Sequence, residues 1–218
     1  MGDPSLRTIV AATGNAHKLE ELRALLPGVR LLGLGDFEPM PEPEETAETY
    51  AGNALIKAFA AHRRCGLPTL ADDSGLEVDA LFGAPGVRSA RFVPGSDADR
   101  RRALLLALEG APSRTARFVC VIALVGLNKA DHGGPDVEWS RSESGEALLV
   151  RGVCEGRLTT TERGFGGFGY DPIFELIDLG STFAELPSAT KHRYSHRGLA
   201  AAVLGRFLET LDASTQPR

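Results

Sequence analysis

The sequence predicts an α/β fold: a mixed, twisted central sheet flanked by helices, with a second lobe built around residues 112–165 of a single domain. Three observations carry that expectation. Short β-branched, apolar runs alternate with longer segments whose leucines recur at helical spacing. Several of the helical segments open on a capping side chain and close on glycine. No repeat or low-complexity linker interrupts the 218 residues, and 43% hydrophobic with 24% charged residues is an ordinary globular composition.

LRTIVAAT, residues 6–13, is β-branched and apolar and reads as a buried first strand. GNAHKLEELRALLPG follows, with Leu19, Leu22, Leu25 and Leu26 at helical spacing, Asn15 placed to cap and Pro27-Gly28 to stop. VRLLGL (29–34) is a second strand, and the Pro- and Glu-rich GDFEPMPEPEETAET (35–49) is a surface loop. YAGNALIKAFAAHRRCG (50–66) is a helix stopped by Gly66. LPTLADD (67–73) is a third strand that ends on Asp72 and Asp73. SDADRRRALLLALEG (96–110) is a helix capped by Ser96 or Asp97, and TARFVCVIALVG (115–126) is a long strand. NKADHGGPD (128–136) is a hairpin-like loop leading into VEWSRSESGEALLV (137–150). Residues 151–176 read as strand, Gly-rich loop and strand. SHRGLAAAVLGRFLETL (195–211) is the final helix, capped by Ser195, with Leu199, Val203 and Phe207 one turn apart. The last residues, 214–218, are expected to fray.

Bulk properties narrow the function. A net charge of -5 argues against a nucleic-acid polymer as partner, but a small anion needs only a local positive pocket. Cys65, Cys120 and Cys154 are far apart and form no CxxC, which points to reduced thiols, a cytoplasmic setting and no zinc site. MGDPSLRTIV has neither a signal-peptide pattern nor, with Leu6 in place of Ser or Thr, a myristoylation pattern. FVCVIALVGL is too short to span a bilayer, so no membrane partner is expected.

Four short stretches suggest chemistry, each beside a blander alternative. ATGNAHK runs from a strand through Thr13, Gly14 and Asn15 into a helix beginning near Ala16 and His17, a geometry that suits phosphate. Lys18 in the first turn opposes the helix dipole by roughly 0.3–1 kcal/mol unless an anion is present. The alternative is an ordinary strand–helix turn with a solvated lysine. Glu44, Glu45, Asp72 and Asp73 are hard oxygen ligands of the kind Mg2+ takes, or else a solvated loop and a strand-end turn. RGFGGFGYDPIF alternates glycine with Phe165, Phe168 and Tyr170, offering close backbone approach and faces for a purine, or else a tight turn feeding the core. KHRYSHRG puts His196 and Arg197 in the first turn of a helix, where the Arg197 fork fits a carbonyl or phosphate. His192 and His196 imitate an HxxxH zinc pair, but the helix is expected to start between them. DDSG is not the GxSxG elbow of a serine hydrolase, and the pattern expected of aspartyl-nucleophile phosphatases is missing around Asp73.

Taken in order, ATGNAHK, EETAETYAGNALIKA, LADDSGLEVDALFGAPGVRSARF, GFGGFGYDPIF and SHRGLA resemble the inosine triphosphate pyrophosphatase family, the Ham1-like non-canonical purine NTP pyrophosphatases, from about Thr8 to Leu208. The resemblance implies two lobes with the active site in the cleft between them. It also implies a homodimer and Mg2+-dependent hydrolysis of ITP, dITP and XTP to the monophosphate and pyrophosphate. Residue by residue it assigns phosphate binding to Thr13 through Lys18 and to Lys57, a metal ligand to Glu45, and metal binding with proton acceptance to Asp73. Ser74 falls beside the nucleotide; Phe168, Gly169, Tyr170 and Asp171 form the nucleoside pocket; Lys191, His196 and Arg197 make further contacts. Two positions depart from the pattern: Gly52 stands where many members have Glu, and Ala47 where Gly is common.

On this reading Glu45 and Asp73 hold Mg2+, Asp72 or Asp73 orients or deprotonates the attacking water, and Lys18 and Lys57 stabilise the departing pyrophosphate. Donors from Arg197 or His196 are expected to face position 6 of the base, where inosine carries a keto acceptor and adenine an amino donor. The competing readings are a pyrophosphatase for a different base and a nucleotide-binding module without catalysis.

Overall fold

The computed structural model describes residues 7–127 and 137–215, with side chains to residue 211. The chain begins with β1 (Arg7–Ala11), α1 (Ala16–Leu25) and β2 (Val29–Gly33). α2 (Tyr50–Cys65) leads to β3 (Thr69–Val78), and α3 (Asp97–Ala107) to β4 (Thr115–Val125). β5 (Glu138–Ser142), β6 (Gly145–Leu158), β7 (Phe174–Leu176) and β8 (Ser181–Thr182) follow, then α4 (Ser188–Tyr194) and α5 (His196–Thr215). The strands form one sheet in the order β2-β1-β3-β4-β6-β7-β8, with β5 also on β6. β1 runs parallel to β2 and β3, and every other pairing is antiparallel.

The order of the first three strands fixes which helix covers which face. The chain steps from β1 one way to β2, then back across β1 to β3. Right-handed crossovers in opposite directions put their helices on opposite faces. α1, joined by α5, covers Ile9, Leu70, Ile122 and Leu124 on one face. α2 covers Ala71, Val121, Ala123 and Val125 on the other. Farther along the α1/α5 face, Leu76, Val78, Ala116 and Phe118 form a second cluster with Leu104 and Leu108 of α3 and with Tyr170, Phe174 and Phe183. Residues 112–165 supply β4, β5 and β6 and so contribute to all three clusters.

Capping follows local chemistry. Asn15 accepts from the amides of His17 and Lys18, Thr49 from Gly52, and Ser96 from Asp99, and Gly66 closes α2 at φ 68°. Four expectations change. β3 does not end at Asp73: it pairs with β4 down to Val78, because Leu76 and Val78 continue the buried face of Leu70. Residues 137–150 are not one segment but β5, a turn, and the start of a β6 that runs on to Leu158. A short helix, α4, precedes the expected last one. On α5 the buried stripe is Ala200, Leu204, Phe207, Leu208 and Leu211, while Leu199 is exposed. The expected loop 128–136 lies outside the described residues. Of the tail 214–218, residues 216–218 lie outside them too, and α5 continues to Thr215.

Candidate active site

Ligands of open α/β sheets bind where the strand order reverses, beyond the carboxyl ends of the parallel strands. That point is the end of β1. β1 stops at Ala11, opposite Leu70, so from Ala71 onward the same edge of β3 has no strand beside it. A cleft of about 350 Å³ opens there, reaching from Lys18 and Lys57 to Phe168 and Lys191. A larger hollow of about 690 Å³ lies by Leu105, Leu106 and Glu109, lined by no buried ionisable side chain. The buried ionisable side chains mark the smaller cleft as the chemical one: Asp73, Asp171, Lys191, His196 and Arg197 line it, and Asp72 lies directly behind.

Side chains alternate across a strand, so the adjacent aspartates point to opposite faces of the sheet. Asp72 shares the face of Leu70 and meets α1 and α5; Asp73 shares the face of Ala71 and meets α2. Their mutual repulsion is thereby relieved by the backbone itself. Asp72 is enclosed, with Lys18 Nζ and Arg197 Nη2 each 3.0 Å from Oδ2, and its Oδ1 has no hydrogen-bond partner among the described residues. Burial alone would raise its pKa, but Lys18 and Arg197 hold the carboxyl well below the usual carboxylate range. Glu21 of α1 extends the chain of charges, facing Arg197 on one side and Lys191 at 2.8 Å on the other, and Lys191 reaches Asp171 at 2.8 Å.

On the α2 face the amide Nδ2 of Asn53 donates to Asp73 Oδ2 at 3.2 Å, while Oδ1 of the same side chain accepts from the Ala47 N–H at 3.0 Å. Asn53 is fully buried and ties the Glu45 loop to the Asp73 strand. Lys57 Nζ, one helical turn on, lies 2.7 Å from Glu45 Oε1 and 3.4 Å from Asp73 Oδ1. Arg91 pairs with the outer oxygen of Glu45 at 2.8 Å. Burial and then the Glu45 carboxylate raise the pKa of Asp73 against the pull of Lys57. Lys57 itself is raised, because Asp73, Asp72 and Glu45 together outweigh its burial. Two hard carboxylates from separate segments thus converge on one cationic point. That donor set fits Mg2+, which takes one or two carboxylates and fills its remaining positions with water and phosphate oxygens. Among the described residues no group of three or more His, Cys, Asp or Glu is arranged for a metal.

The far end of the cleft is aromatic. Asp171 Oδ2 accepts from the Phe168 amide at 2.8 Å, which turns the Gly-rich loop back on itself. The Phe168 ring stands 5.8 Å from His17 at an interplanar angle of 16°, with Lys191 Nζ 4.9 Å from its centroid. The Tyr170 phenol, pushed up to about 12 by burial, keeps its proton and donates to the Ser89 carbonyl at 2.9 Å. His196 stacks on Phe118 with centroids 4.6 Å apart. Burial first, and then Arg197 and Lys191, hold its pKa well below that of ordinary imidazole, so the ring is neutral. Only glycine at 152 permits this packing, because a Cβ there would lie 2.1 Å from the His196 carbonyl oxygen.

Of the residues singled out from sequence, Thr13, Gly14, Ala16, Glu44, Asp72, Phe165 and His192 do not line the cleft; all the others do. Thr13 instead accepts from the Asn15 amide through Oγ1. Arg197 is spoken for: Nε and Nη2 donate to Asp72, Nη2 also to Ser74, and Nη1 to Glu21. Sequence reading missed Glu21, Asn53, Ser89, Asp97 and Arg100. Two of these had a signal: Glu21 lies one turn after Lys18, and Asn53 one turn before Lys57. The departures Ala47 and Gly52 touch each other, since a Cβ on Gly52 would meet the Ala47 methyl at 2.5 Å.

A model of the Ham1 family matches residues 9–207. The chain is 48% identical to the dITP/XTP pyrophosphatase of Symbiobacterium thermophilum, covering 96% of this chain and 97% of that one. To the dITP/XTP pyrophosphatase of Methylococcus capsulatus it is 46% identical over 94% and 98% of the two chains. Among solved structures, a HAM1 protein from Coxiella burnetii superposes with a TM-score of 0.79 at 40% identity, covering 94% of this chain and all of that one. The Staphylococcus aureus Ham1 protein gives 0.77 at 35% identity.

Proposed function

The chain belongs to the Ham1 family, and on that footing we propose that it hydrolyses the non-canonical purine triphosphates dITP, ITP and XTP to the monophosphate and pyrophosphate. One observation carries the reading beyond kinship. The two faces of β3 present different electrostatics to one cleft: an acid pair sharing Lys57 and the half-exposed Arg91 on the α2 side, and a charge-matched, aromatic recess on the other.

Glu45 and Asp73 would hold Mg2+, which when bound withdraws charge from phosphate oxygens during displacement. Asn53 orients Asp73 and fixes the Glu45 loop. Asp73, with its pKa raised, is the better proton acceptor of the aspartate pair. Asp72, enclosed and committed to two cations, is assigned to positioning Lys18 and Arg197 rather than to the water. Because the His17 and Lys18 amides are taken by Asn15, the loop's hold on a phosphate falls mainly to the Lys18 side chain and the helix end. Lys57, which pairs with both carboxylates here, would be free to follow the pyrophosphate once a cation holds them.

The base enters the Phe168 end. A guanidinium has five N–H donors, and the four recorded bonds of Arg197 leave one Nη1–H over. A donor locked in this way cannot turn into an acceptor. It donates to a 6-keto oxygen and opposes a 6-amino group, a mismatch worth about 1–3 kcal/mol or more. A substrate panel with separate detection of pyrophosphate and orthophosphate, with and without Mg2+, tests the proposal. Pyrophosphate release from dITP and XTP at rates far above dATP, and only with the metal, is expected. Orthophosphate as first product, or equal turnover of dATP, would refute it. The homodimer expected from the family is part of the same proposal and is checked by sedimentation.

A further inference from the structure

The loop that carries Phe168 is tied to Ala184 and Asp171 at Gly164, Gly166 and Gly167, but its last glycine, Gly169, is not held by such contacts. Gly164, Gly167 and Gly169 adopt φ of 78°, 72° and 60°, and glycine loses more backbone freedom on ordering than any other residue. Gly169 has no neighbour that a side chain would meet, so packing does not fix it either. Two hydrogen bonds from α3 do. The Gly169 N–H donates to Asp97 Oδ2 at 2.8 Å, and Arg101 Nη1 donates to the Gly169 carbonyl at 2.8 Å. One bond holds the peptide before the Gly169 Cα and the other the peptide after it, so together they lock both of its dihedral angles. Asp97 and Arg101 are four residues apart and therefore on one face of α3. The helix is a firm base for them: Ser96 and Asp99 close a capping box at its start, and Leu104 and Leu108 are buried beneath it. Arg101 also lies 3.0 Å from Glu162, where the loop begins.

We propose that Asp97 and Arg101 act as positioning residues that clamp Gly169 and thereby hold the Phe168 ring in the orientation that receives the purine base. This rests on the functional reading above, which puts the base at Phe168. A clamp of this kind governs base binding and leaves the chemistry at Asp73 alone. In Arg101→Met the KM for dITP should rise about tenfold, the effect of losing one charge-assisted hydrogen bond, with kcat within about twofold. The inhibition constant of inorganic pyrophosphate, which shares only the phosphate end, should not move. Arg101→Lys, which keeps a donor within reach of the carbonyl, should recover most of the KM. Hydrogen–deuterium exchange across residues 163–171 of the free protein should quicken about tenfold or more in Arg101→Met and in Asp97→Ala. An unchanged KM overturns the proposal, as does a parallel rise in KM and in the pyrophosphate constant. A wild-type protein that does not turn dITP over overturns the functional reading and the base-binding role with it. The clamp is then judged by exchange, and unchanged exchange in Arg101→Met overturns it as well.

Discussion

Asparagine in place of Asp72 keeps the shape of the side chain and removes one buried charge. The Asp72 side chain is fully enclosed, and the partner Arg197 is 2% exposed. Removing one member of a buried ion pair costs about 3–5 kcal/mol, because the other charge is left uncompensated. Glu21 still faces Arg197, and Lys18 at 18% exposure reaches water, so the lower end, about 3 kcal/mol, applies here. At ~2–4 °C per kcal/mol for a chain of this size, the Tm should fall by roughly 6–12 °C. The pH dependence has a definite sign. The folded pKa of Asp72 lies below its unfolded value of 3.8, so its contribution is complete above that value and is lost as pH falls below it. The Tm gap between wild type and Asp72→Asn should therefore be full at pH 7 and narrow in acid below about pH 4. Asp73→Asn should do the opposite. Burial and Glu45 already disfavour that charge in the folded protein, so its loss leaves the Tm unchanged or higher. Turnover, deprived of several kcal/mol of transition-state stabilisation, should drop about a thousandfold or more. Scanning calorimetry and dITP turnover on both variants decide the matter. An Asp72→Asn protein with wild-type Tm at pH 7, or an Asp73→Asn protein that melts early yet still works, would show that the two residues do not serve opposite faces.

Three further outcomes are expected. Asn53→Ala frees both Asp73 and the Glu45 loop, so the Mg2+ concentration for half-maximal activity should rise about 10–100-fold; a wild-type titration curve would remove Asn53 from the site. Gly52→Ala places a methyl 2.5 Å from that of Ala47 and should destabilise by about 1–3 kcal/mol in urea, with Ala47→Gly relieving most of it; additive effects in the double variant would deny the coupling. Gly152→Ala forces α5 off the sheet at His196, so stability and KM for dITP should both suffer, and a protein with normal kinetics would contradict the close approach.

Much of the scaffold was legible because its signals are local. Asn15 and Ser96 cap their helices through side chains two or three residues away, and Gly66 takes the left-handed turn for which only its own sequence position matters. The end of β3 was not. Ser74-Gly75 looks like a turn, yet pairing with Cys120 and Val119 of β4 carries the strand through it. That error hid the main fact of the site, since alternation places Asp72 and Asp73 on opposite faces only if the strand continues past them. α4 was invisible because a helix of seven residues has little stability of its own. Glu21 was passed over because its partners, Lys191 and Arg197, are distant in sequence and no local pattern announces them. Of Ser96 and Asp97 as candidate caps, Ser96 is the cap; Asp97 opens the helix, and its hold on Gly169 is a tertiary contact that no local pattern announces.

The division of the cleft follows from charge balance. On the α1/α5 side, Lys18, Arg197 and Lys191 are matched one for one by Asp72, Glu21 and Asp171 in an unbroken chain of contacts. Such a network is neutral as a whole and stays in place when a neutral purine base is laid against it, so its donors act as fixed hydrogen-bonding groups. On the α2 side, Glu45 and Asp73 share Lys57, and among the described residues the only other cation paired with them is the half-exposed Arg91. Solvent weakens that outer pair, so the two carboxylates carry the less compensated charge in the cleft. Under the proposed function these two carboxylates would hold the divalent ion, and Lys57 would then be free for the phosphates. The one-residue offset between Asp72 and Asp73 thus puts a charge-matched network and a less compensated acid pair on the two faces of a single strand, the first proposed to meet the base and, through Lys18, a phosphate, and the second proposed to hold the metal.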